Sequence, residues 1–172
     1  MGGIPVWLPD AAAPVSPAAL AQEAVSRLRL PTPVIRLNPA PPAPQLVFVP
    51  TWLWLDPSVW RPVAATASVP GLSVTATATP VRAVWVTGDG ATVTCTGAGT
   101  PWRVGGDPSA ASPSCGHTYR TSSARQPGGV FPVRVSVTWA VSWRGGGSAG
   151  GVPDLVTTGV VAVRVVQSNA VN

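Results

Sequence analysis

Residues 131–143, FPVRVSVTWAVSW, alternate large apolar side chains with small or polar ones. The large apolar positions are Phe131, Val133, Val135, Val137, Trp139, Val141 and Trp143. Because successive side chains of a strand point to opposite faces, this pattern predicts a strand with one buried face. Thirteen residues at about 3.3 Å each span roughly 43 Å, which is longer than most strands. We therefore expect a bulge or a bend in this strand.

Shorter β segments precede it, separated by turn residues. Residues 72–79, LSVTATAT, alternate in the same way, and we expect Pro80 to end that strand. Further strands are predicted at 81–87, at 91–95 and at 46–55, the last interrupted or edged at Pro50. Several short alternating strands separated by turns predict a mostly-β sandwich.

The segments around the long strand are rich in glycine and proline. Residues 96–130 contain a Pro or Gly every few positions, which predicts a long loop-rich excursion. Residues 144–154, RGGGSAGGVPD, are expected to form a flexible loop. Residues 155–167 then return as the hairpin partner of the long strand.

Composition changes near residue 62. Thirteen of the 21 prolines lie in residues 1–62, and 16 of the 18 glycines follow them. We therefore predict a disordered N-terminus over 1–15, a Pro- and Trp-rich extension with one helix over 16–62, and the β-sandwich over 63–172.

The one predicted helix begins after Ser16. A serine is a favoured N-cap, and Pro17 suits the first helical position because its missing N–H is not needed there. Leu20, Ala24 and Leu28 form one apolar stripe. Pro31 ends the helix, and residues 31–45 are expected to run extended, because prolines 39, 41, 42 and 44 favour a polyproline conformation.

Charge is low and positive. Charged residues make up 10% of the chain, the net charge is +5, and the basic residues are all arginines that form no run. Phosphate-driven nucleic-acid binding needs a clustered basic patch, so we expect no nucleic-acid partner.

The sequence contains no run of 18 apolar residues, so we predict no transmembrane segment. The N-terminus has no evident signal-peptide pattern.

Two cysteines, Cys95 and Cys115, leave two alternatives open. They would be thiols in a cytosolic protein and a disulfide in an exported one. A bridge would close a loop of about 20 residues and contribute roughly 3 kcal/mol. Two cysteines and one histidine are too few for a standard four-ligand zinc site.

Gly88, Asp89 and Gly90 lie between two apolar runs and raise the question of a phosphate-binding loop. A P-loop needs a lysine, and the chain has none. Asp-Gly between β segments is a strong hairpin signal, so we predict a turn.

Catalytic and metal chemistry have little support in the sequence. Asp89 could contribute to a calcium site, but Asp89 and Asp107 are the sole acids between 57 and 153. A catalytic triad that includes His117, the one histidine, and Asp89 is arithmetically allowed. We expect a protein without enzymatic activity and without a cofactor.

Eight tryptophans are the most unusual feature of the composition. Trp85 is predicted to lie in the core. We expect Trp52, Trp54 and Trp60 to cover Trp139 and Trp143 of the long strand. The alternative is that exposed tryptophans, among them Trp52, Trp54, Trp60 and Trp102, contact sugars or partner proteins.

Three motifs resemble the polycystic-kidney-disease (PKD) domain. They are W-x-x-G-D-G at 85–90, H-T-Y at 117–119 and G-x-F-x-V at 129–133. This resemblance covers roughly residues 72–167. It implies an extracellular, immunoglobulin-like β-sandwich with Trp85 in its core and His117 and Tyr119 in a structural loop. Val86 and Thr87 depart from the Asp-Phe that usually follows the tryptophan in that family.

The whole chain also resembles a group of actinobacterial exported proteins of unknown function. The shared motifs are C-T-G-x-G-T-P at 95–101, C-G-H-x-Y at 115–119 and W-x-W at 52–54. This resemblance implies export, to the medium or the cell envelope, and a Cys95–Cys115 disulfide. Members are sometimes labelled ATP/GTP-binding, a label that the absence of lysine does not support.

The expected function is that of an exported structural or adhesive module of the cell envelope that binds a protein or a cell-wall glycan. Two alternatives are kept. One is a carbohydrate-binding module that uses exposed tryptophans, and the other is a nucleotide-binding protein or hydrolase.

Overall fold

The computed structural model describes residues 2–4 and 13–168. The disorder predicted for 1–15 therefore falls largely outside the described residues. The described part contains helix α1, Pro17–Ser26, and two 3₁₀ turns, Pro57–Val59 and Pro127–Gly129. The strands are β1 Ile35–Asn38, β2 Gln45–Leu46, β3 Pro50–Leu55, β4 Val63–Val69, β5 Leu72–Val86, β6 Thr92–Cys95, β7 Gly116–Thr118, β8 Phe131–Gly145, β9 Ser148–Val163 and β10 Val165–Val166.

Five strands form one large antiparallel sheet. Its order is β4–β5–β8–β9, and β6 pairs with the end of β5 that β4 leaves free. The predicted alternation is confirmed on both central strands. Their inner face buries Val74, Ala76, Ala78, Ala83, Trp85, Phe131, Val133, Val135, Val137, Trp139 and Val141.

The irregularity expected in the long strand lies in its two partners. Val81 is an extra residue in β5, and β9 has an extra residue between Val152 and Leu155. Both bulges face the same short part of β8, next to Trp139. The prediction that Pro80 ends a strand is wrong. A bulge directly after the proline lets the ladder continue without its missing N–H.

The flexible loop predicted over 144–154 is also wrong. Strand β8 continues to Gly145, β9 begins at Ser148, and the connection is the two-residue turn of Gly146 and Gly147. Both turn residues have positive φ, 58° and 75°. That conformation matches the twist of the strands and favours glycine, so the glycines here make a tight hairpin.

A small antiparallel sheet has the order β1–β3–β7. Strand β3 begins at Pro50, which confirms the predicted interruption there. Strand β1 lies where only extended polyproline structure was expected, and its four residues pair with β3. Strands from both sides of residue 62 share this sheet, because β7 follows that residue and β1 and β3 precede it. Separately, β2 and β10 form a short parallel pair.

Helix α1 and the small sheet cover the inner face of the large sheet. The Ser16 side chain accepts a hydrogen bond from the Ala19 amide at 3.1 Å, and Pro17 is the first helical residue, as predicted. The predicted stripe of Leu20, Ala24 and Leu28 is buried in the same core as the two sheets. The fold is a mostly-β, sandwich-like arrangement with one N-terminal helix.

Cys95 and Cys115 form a disulfide, which is the pairing that the resemblance implied. Cys95 ends β6 in the large sheet, and Cys115 directly precedes β7 in the small sheet. The bond therefore joins the two layers. It also closes the loop of residues 96–114 at its base.

Candidate binding cleft

Strand β3 turns its tryptophans away from the core. Thr51, Leu53 and Leu55 are buried, whereas Trp52 and Trp54 on the opposite face are half-buried. The expectation that Trp52 and Trp54 cover Trp139 and Trp143 is therefore wrong. The register of β3 buries its Thr and Leu side chains, which leaves the tryptophans for another contact.

That contact is the loop of residues 96–114. The Leu55 amide donates to the Ala98 carbonyl at 2.7 Å, and the Leu53 amide donates to the Cys115 carbonyl at 3.1 Å. Gly99 lies so close to the backbone of Leu53 and Trp54 that a Cβ would clash with it. Both ends of the loop are thus fixed along one edge of β3.

The loop brings Trp102 against Trp52. The two rings meet edge to face, with centroids 4.8 Å apart and planes at 87°. The Trp52 Nε1–H donates to the Ala110 carbonyl at 2.8 Å. Gly106 faces the Trp102 ring, and a Cβ there would lie 3.2 Å from it. Close packing on both sides therefore sets the positions of the two rings.

The two rings border an open cleft of about 350 Å³. Its lining is Trp52, Thr100, Pro101, Trp102, Arg103, Gly106, Asp107 and Ala110. Pockets that bind small organic groups are typically apolar with a few polar groups that fix orientation. This cleft has that composition, since one guanidinium and one carboxylate join an otherwise largely apolar lining.

Asp107 is held as an anion in this lining. Hydrogen bonds from the Ser109 hydroxyl, at 2.7 Å, and the Ser109 amide, at 2.9 Å, both reach its Oδ1. They lower the pKa of the Asp107 carboxyl, against a smaller opposing effect of desolvation. Among the described residues no hydrogen bond reaches Asp107 Oδ2 or the Arg103 guanidinium. Both groups are available to a ligand.

Of the four tryptophans that the alternative hypothesis assigned to ligand contact, two meet in this cleft, Trp52 and Trp102. Trp54 lies on the same face of β3 but outside the lining, and Trp60 packs against the main core. Sequence reasoning missed Pro101, Arg103 and Asp107. The two cysteines that delimit their loop were the one available signal.

A second cluster contains the motif residues Asp89, His117 and Tyr119. His117 Nε2 and Asp89 Oδ2 are 2.8 Å apart, and both side chains are largely buried. Asp89 Oδ1 accepts hydrogen bonds from the Thr87 hydroxyl and the Ala91 amide. The Tyr119 hydroxyl donates to the Thr87 carbonyl at 3.0 Å. The cluster ties the turn after β5 to strand β7.

Burial and hydrogen bonding act in opposite directions on this cluster. Desolvation of Asp89 opposes its ionisation, but the hydrogen bonds from Thr87 and His117 outweigh it and lower the carboxyl pKa. Burial raises the pKa of the Tyr119 hydroxyl, and the nearby Asp89 charge raises it further. Asp89 is therefore an anion at neutral pH and Tyr119 a neutral donor.

The chemistry available to His117 is limited by its neighbours. Ser112 and His117 line a second open cleft, but the Ser112 hydroxyl accepts hydrogen bonds from the Ser114 and Cys115 amides. Over residues 2–4 and 13–168, no serine or threonine hydroxyl is hydrogen-bonded to the His117 ring, so these residues do not assemble a Ser-His-Asp triad. Within the same ranges, no three His, Cys, Asp or Glu residues group as metal ligands.

The described residues include no helix with both the length and the apolar character that a membrane span requires. Comparisons of the chain with models of protein families, with curated proteins and with solved structures found no match.

Proposed function

We propose that this chain is an exported, non-enzymatic module of the cell envelope that binds a glycan or protein partner through the cleft between Trp52 and Trp102. The observation that carries the proposal is this pair of half-buried rings, held in place beside an open and largely apolar cleft. Aromatic rings of this kind dominate binding at protein surfaces because they combine a large apolar face with little rotational freedom.

Two further features support export and a PKD-like fold. A disulfide between the sheets suits an oxidising compartment outside the cytosol. Trp85 is fully buried, and His117 and Tyr119 hold the Gly-Asp-Gly turn, which are the roles that the PKD resemblance implies.

Between the two partner classes, the cleft favours a glycan. A sugar ring has an apolar face, which stacks on an aromatic ring, and equatorial hydroxyls, which pair with planar charged groups. Trp102 offers the ring, and Arg103 and Asp107 lie in the same lining with free donors and a free carboxylate oxygen. A carbohydrate-binding module is thus the more specific form of the proposal.

The test is retention of the purified protein on peptidoglycan, chitin and cellulose. Trp102→Ala is expected to weaken retention at least about tenfold, the loss typical of an aromatic anchor. Val104→Ala is the matched control, because Val104 lies in the same loop, is fully exposed and is outside the cleft. Equal retention of the Trp102 variant and the wild type would reject the cleft as the binding site.

A titration with ATP and GTP, with and without magnesium, tests the rival function. The proposal expects no saturable binding of either nucleotide. Micromolar affinity would instead support a nucleotide-binding protein.

A further inference from the structure

The segment that follows Tyr119 is a locked loop. Its centre is the buried Ser123, whose hydroxyl donates to the Gly129 carbonyl at 2.7 Å and accepts from the Val165 amide at 2.9 Å. The Ser123 amide donates to the Val165 carbonyl at 3.0 Å, and the Gln126 amide donates to the Ser123 carbonyl at 2.9 Å. A loop held by these bonds, within itself and to β10, presents its outward side chains from a fixed backbone.

Those outward side chains border a cleft of about 510 Å³. Its lining is Arg120, Thr121, Ser122, Ala124, Arg125, Gln126 and Gln167. The side chains include two guanidiniums, two amides and two hydroxyls, and no carboxylate. Every polar side chain in this lining can donate a hydrogen bond, and none carries a negative charge.

The two arginines have no competing partner nearby. Elsewhere Arg27 pairs with Glu23 and Arg36 with Asp56, each at 3.1 Å. Among the described residues, neither Arg120 nor Arg125 makes a hydrogen bond or an ion pair. The surrounding sequence reinforces this, because residues 108–153 contain four arginines and no acid.

We propose that this cleft is an oxyanion-binding site for the phosphate or carboxylate groups of an anionic polymer. A guanidinium is a planar fork that binds either group through two parallel hydrogen bonds, and these charge-assisted bonds are about twice as strong as neutral ones. The locked backbone reduces the entropy lost on binding. The placement of that polymer at the cell envelope rests on the proposed function, whereas the site itself does not.

The first experiment follows the backbone amides of the full chain by NMR during titration with sodium phosphate, against sodium chloride at the same ionic strength. The amide signals of residues 120–126 are expected to shift and to saturate with phosphate, and not to do so with chloride. Shifts that do not saturate, or that occur equally with chloride, would overturn the proposal.

The second experiment measures binding to poly(glycerol phosphate), to polyglucuronate and to phosphatidylglycerol vesicles. The variant Arg120→Gln/Arg125→Gln is expected to bind the preferred anion at least about tenfold more weakly. Arg134→Gln/Arg144→Gln is the control, because it removes the same charge from exposed positions on β8. It is expected to stay within about twofold of the wild type.

Equal losses in the two variants would show non-specific attraction and would overturn the site. The probe that binds tightest identifies the source of the oxyanion as a phosphodiester polymer, a carboxylate glycan or a lipid headgroup. Trp102→Ala is expected to leave unchanged the binding of poly(glycerol phosphate), which has no sugar ring to stack on Trp102. A failure of the Trp-cleft proposal can therefore be distinguished from a failure of the oxyanion proposal.

Discussion

Gly88 and Gly90 both have positive φ because the turn requires it, but their surroundings differ. Their φ angles are 87° and 96°, a conformation that side chains disfavour. A Cβ on Gly88 would lie 2.7 Å from Phe131 Cβ and 2.9 Å from the Pro132 carbonyl oxygen, whereas a Cβ on Gly90 would meet nothing within 4 Å. Gly90 is thus required by the turn alone, and Gly88 by the turn and by its packing on β8.

The variants Gly88→Ala and Gly90→Ala separate these two requirements. Gly90→Ala is expected to lower the free energy of unfolding by about 1 kcal/mol, the cost of a side chain at positive φ. Gly88→Ala should add roughly 1–3 kcal/mol to that loss, because the methyl group displaces Phe131 or the turn. Urea denaturation of both variants measures the difference. Similar losses in the two would contradict the packing role of Gly88.

The Asp89 carboxylate makes a contribution to stability that is lost at low pH. Its pKa in the folded protein lies below the unfolded value of 3.8. A lowered pKa means that the folded state favours the ionised form, so the contribution is fully present above about pH 3.8. It is lost as the pH falls through the lower, folded pKa.

Asp89→Asn is expected to destabilise the protein by about 1–3 kcal/mol at neutral pH, since it weakens the buried contacts to Thr87 and His117. The difference in stability between the variant and the wild type should shrink as the pH falls below the unfolded pKa of 3.8. Thermal unfolding from pH 7 to pH 2.5 measures it. Asp154→Asn, on an exposed bulge, is the control and should track the wild type throughout. A gap that stays constant over this range would rule out ionisation as its cause.

Trp139 in β8 lies between the bulge of β5 at Val81 and the bulge of β9. This side chain is 1% exposed, and its Nε1–H donates to the Thr157 hydroxyl of β9 at 2.9 Å. The bond satisfies the indole N–H across the strand pair, next to the position where β9 holds its extra residue. Packing and pairing register are therefore coupled at this point of the hairpin.

Thr157→Val keeps the shape of the side chain and removes its acceptor. We expect a loss of about 1–3 kcal/mol, because the buried Trp139 N–H remains without a partner. Thr158→Val is the control, because the neighbouring side chain lies on the exposed face of the same strand. It should change stability by less than about 0.5 kcal/mol. Chemical denaturation monitored by tryptophan fluorescence compares them, and equal effects would contradict the role of the hydrogen bond.

Sequence periodicity predicted the elements whose structure is local. The alternation of β5 and β8 and the capped helix follow from side-chain spacing and end residues, whereas the buried Trp85 was implied by the PKD resemblance. The bulge at Val81 and the strand character of β1 depend on partners distant in the chain, and the tight turn at Gly146 depends on the register of the two strands that it joins. The sequence pattern of a proline or of a run of glycines does not show whether such partners are present. The pattern alone therefore predicted breaks and loops there.

The candidate site follows the same division. Trp52 and Trp102 were recognisable as unusual residues, but they are 50 positions apart in the chain. Their contact depends on the register of β3 and on the path of the loop between the cysteines. Neither is encoded in the spacing of the tryptophans, so the sequence identified the rings and could not place them together.

At the scale of the whole molecule, two crosslinks hold the small sheet to the same end of the large one. The first is the Cys95–Cys115 disulfide, and the second is the buried contact of Asp89 with His117. Helix α1 contacts β4, β5 and β8 instead. The position of the small sheet, and with it the loop that carries Trp102, therefore depends on these two links, on the Tyr119–Thr87 hydrogen bond and on the shared core.

Reduction of the disulfide tests that dependence on both stability and the cleft. The bond spans a separation of 20 residues, so its loss should lower the free energy of unfolding by about 3 kcal/mol through the greater freedom of the unfolded chain. The base of the Trp102 loop is also released, so the near-ultraviolet signal of the Trp52–Trp102 pair should weaken before global unfolding. Urea denaturation and near-ultraviolet circular dichroism, each with and without reductant, measure the two effects.

The variant Cys95→Ser/Cys115→Ser controls for the reductant, because it should behave like the reduced wild type and be insensitive to further reductant. A reduced protein with unchanged stability would show that the Asp89–His117 contact and the shared core are sufficient to hold the sheets together.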